Sequence, residues 1–215
     1  MGTLLDAIAA GDLVEVRNLL AANPKLASVR GADGVSAVLR CVYEGRLDLA
    51  EAVLAAGPKI DLFDAAGLGD IRALANLLAA GADVTAYAGD GFTALHVAAF
   101  FDAPYSAALL LRAGAAPDAV ADNATHVRPL HSALAGRSVS VVSMLLATGV
   151  DPDPVQQGGF TPLMSAAQHG DAELTDLLLA CGADSRHASD DGRTAADIAL
   201  AAGHAKLVAR LRGAA

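Results

Sequence analysis

Six histidines, two cysteines and a large share of aspartate are the residues of this 215-residue chain whose types could do chemistry. Histidine and thiolate would suit zinc, whose ligands recur at short, fixed spacings. His96, His126, His131, His169, His187 and His204 show no such spacing, and Cys41 and Cys181 stand too far apart in sequence to complete one, so no metal is expected. Paired carboxylates would suit hydrolysis, but only where two acids converge in a cleft. Most of the 24 acidic residues are Asp, at turn-like places such as Asp33, Asp83, Asp90, Asp118, Asp151, Asp184 and Asp190. There Asp bonds its own nearby backbone, which is a structural duty. The chain has no phosphate loop, no Gly-x-Ser-x-Gly elbow and no dinucleotide fingerprint. The expectation is therefore a chain that is not an enzyme and needs no cofactor; the best remaining cluster for catalysis is His169 with neighbouring aspartates.

The elements that would position these groups follow from composition and period. Apolar residues make up 54% and mean hydropathy is +0.43, yet aromatics reach 4% and Trp is absent. Disordered chains are poor in apolar residues, so this one folds. No apolar run approaches the ~18 residues of a spanning helix, because residues such as Asp102, Arg112 and His204 interrupt them. The start, Met1 to Asp6, carries no basic region, and Asp6 and Asp12 break any apolar one. A cytoplasmic location without membrane attachment is the expectation, with both cysteines reduced. Net charge is −9 and only three residues, Lys25, Lys59 and Lys206, are lysine. Polyanions need clustered Lys and Arg, so nucleic acid is not expected as a partner.

Internal repetition dominates the chain. Residues 91–99 read Gly-Phe-Thr-Ala-Leu-His-Val-Ala-Ala, residues 159–167 Gly-Phe-Thr-Pro-Leu-Met-Ser-Ala-Ala, and residues 192–199 Gly-Arg-Thr-Ala-Ala-Asp-Ile-Ala. Gly81-Ala82-Asp83 and Gly182-Ala183-Asp184 close leucine-rich stretches, with Gly149-Val150-Asp151 as a variant. The Thr position recurs at Thr93, Arg128, Thr161 and Thr194, and a second position at Gly11, Gly45, Gly69, Asp102, Arg137, Gly170 and Gly203. Apart from one interval of 24, these steps are 33 to 35 residues. Thr would cap a first helix, Pro162 suits its first position, the Ala pairs keep that helix slim, and the Gly turns the chain into a second helix.

This pattern resembles the ankyrin-repeat family over nearly the whole chain, whose unit is a β-turn and two helices with a period near 33. The resemblance implies an all-α ankyrin-repeat solenoid forming one domain over 1–215. Its helix-turn-helix units, joined by short β-hairpin loops, run approximately 1–30, 31–57, 58–85, 86–120, 121–154, 155–187 and 188–215. The arrangement resembles a bacterial type of such array whose third unit lacks its hairpin. The first and last units are expected to cap the solenoid.

Departures from the pattern carry their own expectations. The 24-residue interval implies that Ile60-Asp61-Leu62 enters the third unit's helix directly, leaving a gap in the row of hairpins and a local change of superhelical twist. Arg137 stands where a left-handed Gly is usual, so Gly136 is expected to absorb the turn. Gln156-Gln157-Gly158-Gly159 reads as an extended hairpin tip. Two extra residues around Asn123 to His126 should reshape the fifth unit's loop.

Family arrays bind through hairpin tips and the exposed end of each first helix, which together form a concave face. Carried onto this sequence, those positions are Val35, Gly89, Asp90, Phe92, Val127, Phe160, Asp191 and Arg193 on hairpins. On first helices they are Tyr43, Glu44, Leu68, Phe100, Phe101, Gln168 and His169. Five of the chain's eight aromatics, Tyr43, Phe92, Phe100, Phe101 and Phe160, fall among them, and aromatic anchors carry much interface energy. The competing reading is that these rings pack between units. The expected partner-binding set is Tyr43, Phe92, Phe100, Phe101, Phe160, Asp90, Gln168, His169 and Arg193, and the expected partner is a protein, neutral or basic given the chain's charge. A stoichiometric regulator or inhibitor of a neighbouring enzyme or toxin is the alternative, and a monomer is preferred over a homodimer. His96 and His131 fall on the family's structural histidine, whose imidazole bonds a neighbouring hairpin.

Overall fold

The computed structural model describes residues 2–213. Among them, fourteen α-helices form seven consecutive pairs: α1 (Leu4–Ala9) with α2 (Leu13–Ala22), α3 (Ala37–Tyr43) with α4 (Leu47–Ala55), and α5 (Leu62–Leu68) with α6 (Ile71–Ala79). Next come α7 (Ala94–Phe100) with α8 (Pro104–Arg112), α9 (Pro129–Ala135) with α10 (Val139–Ala147), α11 (Pro162–His169) with α12 (Ala172–Ala180), and α13 (Ala195–Ala201) with α14 (Ala205–Gly213). None is long and apolar enough to cross a membrane.

Short polar side chains start these helices by accepting from amides that have no helical partner. Thr3, Ser36, Asp61, Thr93, Thr161 and Thr194 cap first helices, and Asp12, Asp70, Ser138 and Asp171 cap second ones. Arg128 cannot do this, and there the fixed point is its backbone N–H, which donates to His131 Nδ1 at 3.1 Å. Two-residue bridges close the hairpins at Arg30–Ser36, Tyr87–Thr93, Gln156–Phe160 and Ala188–Thr194. The fifth unit's enlarged loop is held by the Ala121 N–H donating to Val127 O at 2.8 Å, with His126 at φ 50°. The tip at Gln157–Gly159 is a tight 3₁₀ turn with Gly158 at φ 83°, not an extended loop.

The helix-to-helix turn is left-handed at every expected position, from Gly11 (φ 70°) to Gly203 (φ 85°), including Asp102 (φ 48°) and Arg137 (φ 55°). Gly136 does not absorb the fifth unit's turn; it stays right-handed at φ −76°. Its role is close approach: a Cβ there would lie 2.1 Å from the Phe100 carbonyl oxygen. Arg137 takes the strained conformation itself and pairs with Asp171 at 3.2 Å.

The third unit does lack its hairpin. Asp61 and Asp64 cap α5 reciprocally, each carboxylate accepting the other's backbone N–H. No gap follows, because the second and fourth hairpins close over the deletion. A Cβ on Gly89 would sit 2.0 Å from Asp33 O and 2.6 Å from the Gly34 Cα, so the two tips touch backbone to backbone. Beneath them Leu39 of α3 and Val97 of α7 approach from either side of Gly67 in α5, where a Cβ would meet both at 3.0 and 3.1 Å. The core accordingly divides. One apolar cluster fills units one and two, a larger one runs from Leu62 to Leu211, and a small third one joins Val35, Leu39 and Val42 to Val97.

Candidate binding face

Closure of the second hairpin onto the fourth brings together side chains separated by about fifty residues of sequence. Tyr43 ends α3, Phe100 ends α7, Phe101 caps it, and Phe92 lies in the hairpin leading into it. The Tyr43 and Phe101 rings are 5.6 Å apart, and Phe100 meets Phe101 edge-on at 5.0 Å, spacings at which aromatic pairs attract. The Tyr43 hydroxyl donates to Asp90 Oδ2 at 2.7 Å, tying the second unit to the fourth hairpin. Burial, with the Asp90 carboxylate beside it, pushes that hydroxyl's pKa well up.

The cluster borders a pocket of about 200 Å³ lined by Tyr43, Phe92, His96, Val97, Phe100 and Ser132. His96 is neutral there. Burial depresses its pKa to about 4, its Nε2–H donates to Val127 O at 3.1 Å, and Nδ1 faces the Thr93 hydroxyl at 2.8 Å. His131 repeats the arrangement one unit on, bonding Pro154 O at 3.0 Å, and burial lowers its pKa also. Asp64 stands at the equivalent place in α5, wholly buried and accepting from the Ser36 hydroxyl. Burial raises its carboxyl to about 6, against the pull of that hydrogen bond.

The remaining expected residues lie apart from this cluster, and none lines the pocket. Phe160 is half-buried against the larger core, as Phe92 and Phe101 are against the small third one, and it stands away from the cluster at Tyr43 and Phe100. Gln168 and His169 are exposed at the end of α11; the Gln168 carbonyl accepts from His204 Nε2 at 3.2 Å, and His169 Nδ1 meets Ser165 O at 2.8 Å. Arg193 is exposed and paired with Asp191 at 2.7 Å. Val97, His96 and Ser132 line the pocket although the face positions do not include them. His96 is marked in the sequence as a structural histidine and not as a pocket residue, while Val97 and Ser132 come in from the adjoining first helices α7 and α9. The most exposed aromatic is Tyr105, at 78%, on α8 and so outside the hairpin and first-helix set.

Comparison with known proteins decides the family. A model described as ankyrin repeats in three copies matches residues 62–156 and again 138–214, well over half of the chain. The chain belongs to the ankyrin-repeat family. Relatives include the human neurogenic locus notch homolog protein 4, 36% identical over 72% of this chain and 7% of its own length. A probable E3 ubiquitin-protein ligase of rice is 34% identical over 72% of the chain and 28% of its own length. A putative ankyrin repeat protein of fowlpox virus is 33% identical over 44% of the chain and 16% of its own length. The chain thus spans under a third of the length of each. Ankyrin repeats are generally protein–protein interaction modules.

Proposed function

We propose that this ankyrin array binds a protein partner through its concave hairpin and first-helix face, with Tyr43, Phe92, Phe100 and Phe101 as the anchor. One observation carries the reading: four of the chain's eight aromatics gather where the second and fourth units close on each other, and Phe100 is left 43% exposed at the rim of an apolar pocket. Solvent-facing aromatic clusters beside a pocket are where interfaces concentrate their energy. Asp90 holds the anchor in place, and Gln168, His169 and Arg193 extend the same face toward the last units.

The array acts by recognition and not by catalysis. The buried ionisable side chains Asp64, His96 and His131 are each engaged in hydrogen bonds that join one unit to the next, which is a structural duty. The partner is neither nucleic acid nor membrane, a reading supported by the net charge of −9. Free Cys41 and Cys181 suit a reducing compartment such as the cytoplasm, where the chain works as a monomer without cofactor.

The test is capture from native extract on the immobilised chain, comparing wild type, Phe100→Ala and Tyr105→Ala. Partners held by wild type should be lost with Phe100→Ala and kept with Tyr105→Ala, with similar melting temperatures for all three. Equal capture by Phe100→Ala refutes the reading.

A further inference from the structure

We propose that the pocket beside Phe100 seats one bulky apolar side chain of a partner segment whose adjoining residues are lysine or arginine. The proposal rests on the binding face named above and adds the chemistry of what it recognises. Size sets the first half. A drug-sized ligand needs roughly 300 Å³ or more, whereas a cavity of ~150 Å³ already accepts a benzene ring. At about 200 Å³, lined by Tyr43, Phe92, His96, Val97, Phe100 and Ser132, this pocket has room for one ring or branched side chain. Two of the three polar side chains in its wall are already engaged, since His96 bonds Val127 O and Thr93 and the Tyr43 hydroxyl bonds Asp90, which leaves the Ser132 hydroxyl as the one group there still to pair. A largely apolar group is therefore what the wall accepts, with the single Ser132 hydroxyl left to pair.

Charge sets the second half. The arginines of the hairpins and first helices are taken up in ion pairs, Arg30 with Asp61, Arg40 with Asp33, Arg128 with Asp118 and Arg193 with Asp191. Around the pocket the carboxylates that remain outside any ion pair among the described residues are Asp90, bonded to Tyr43; Glu44, exposed next to Tyr43; and exposed Asp122, whose amide bonds Gly91 O beside Phe92. Acidic residues without an arginine partner thus neighbour the pocket's lining residues while the lining itself is uncharged, which favours a cationic flank on the incoming segment and repels an acidic one. Deletion of the third hairpin creates this arrangement, since Tyr43 and Asp90 meet only because the second and fourth tips touch.

Nuclear magnetic resonance titration of the full chain tests it with three end-blocked peptides: Lys-Lys-Phe-Lys-Lys, Lys-Lys-Ala-Lys-Lys and Glu-Glu-Phe-Glu-Glu. The first should shift the amides of Phe92, Val97, Phe100 and Ser132, and the other two should bind at least about tenfold more weakly. Phe100→Ala should weaken the first peptide by a similar factor. Asp90→Asn, which keeps an acceptor for the Tyr43 hydroxyl, should weaken it at low salt only. No shift at millimolar peptide, equal binding of the alanine or glutamate peptide, or shifts confined elsewhere would each overturn the proposal. So would self-association abolished by Phe100→Ala, because the occupant is then a second copy. If Phe100→Ala loses extract partners while the peptides behave alike, the binding face stands and only the pocket's chemistry fails.

Discussion

Acid should loosen the joint between the fourth and fifth units through a single residue, and the size of the effect follows from the geometry. His96 is almost wholly buried, with both ring nitrogens committed, and its pKa falls from 6.5 to about 4. A group with a depressed folded pKa adds stability that is complete above its unfolded value and disappears as the pH falls through its folded value. The window is therefore pH 6.5 to 4, and at 1.36 kcal/mol per unit the loss is ~3 kcal/mol. The perturbation is His96→Gln, which keeps a donor for Val127 O and removes the titration. Urea unfolding of both proteins at steps from pH 7.5 to 4 gives their difference in stability, in which the titration of all other groups cancels. The wild-type advantage at neutral pH should shrink steadily through that window and reverse near its lower end. A difference that stays constant with pH would show that the buried imidazole does not titrate as its surroundings require, and would refute the argument.

Asp64 must respond in the opposite sense, because burial raises its carboxyl from 3.8 to about 6: its contribution is present below the unfolded value and lost as the pH rises through the folded one. Asp64→Asn should raise the denaturation midpoint most at pH 8, by less at pH 5, and leave it nearly unchanged only below pH 3.8. Gly89→Ala puts a methyl 2.0 Å from Asp33 O and should destabilise by about 1–3 kcal/mol, seen as a lowered melting temperature. Arg137→Gly removes a left-handed penalty of ~1–2 kcal/mol at the cost of an ion pair whose arginine is largely solvent-exposed, though its Asp171 partner is mostly buried. A modest rise in melting temperature is expected.

Much of this architecture is legible in the amino-acid sequence. The Thr93, Thr161 and Thr194 caps and the left-handed turns at Gly45, Gly69, Gly170 and Gly203 follow from local backbone requirements, which a repeat states several times over. Asp102 and Arg137 were marked by register alone, yet register could not show that Arg137 itself turns while Gly136 is pressed against the Phe100 carbonyl. The same limit applies to the binding face. Tyr43, Phe92, Phe100 and Phe101 were readable as face positions, but their convergence depends on the second and fourth hairpins closing over the missing one. That closure is set by packing of Leu39 and Val97 across Gly67, a contact between residues far apart in sequence. Phe92, Phe101 and Phe160 fall on face positions and pack half-buried against the core, because register assigns a position to a face without fixing how far its ring turns inward.

Side-chain footprinting of the chain with a captured partner, by hydroxyl-radical oxidation read in a mass spectrometer, tests the central claim most directly. Binding through the hairpin and first-helix face predicts strong protection of Tyr43 and Phe100, with Tyr105 on α8 oxidised as fast as in the free chain. Protection of Tyr105 with Tyr43 and Phe100 unchanged would place the partner on the second helices and contradict the account.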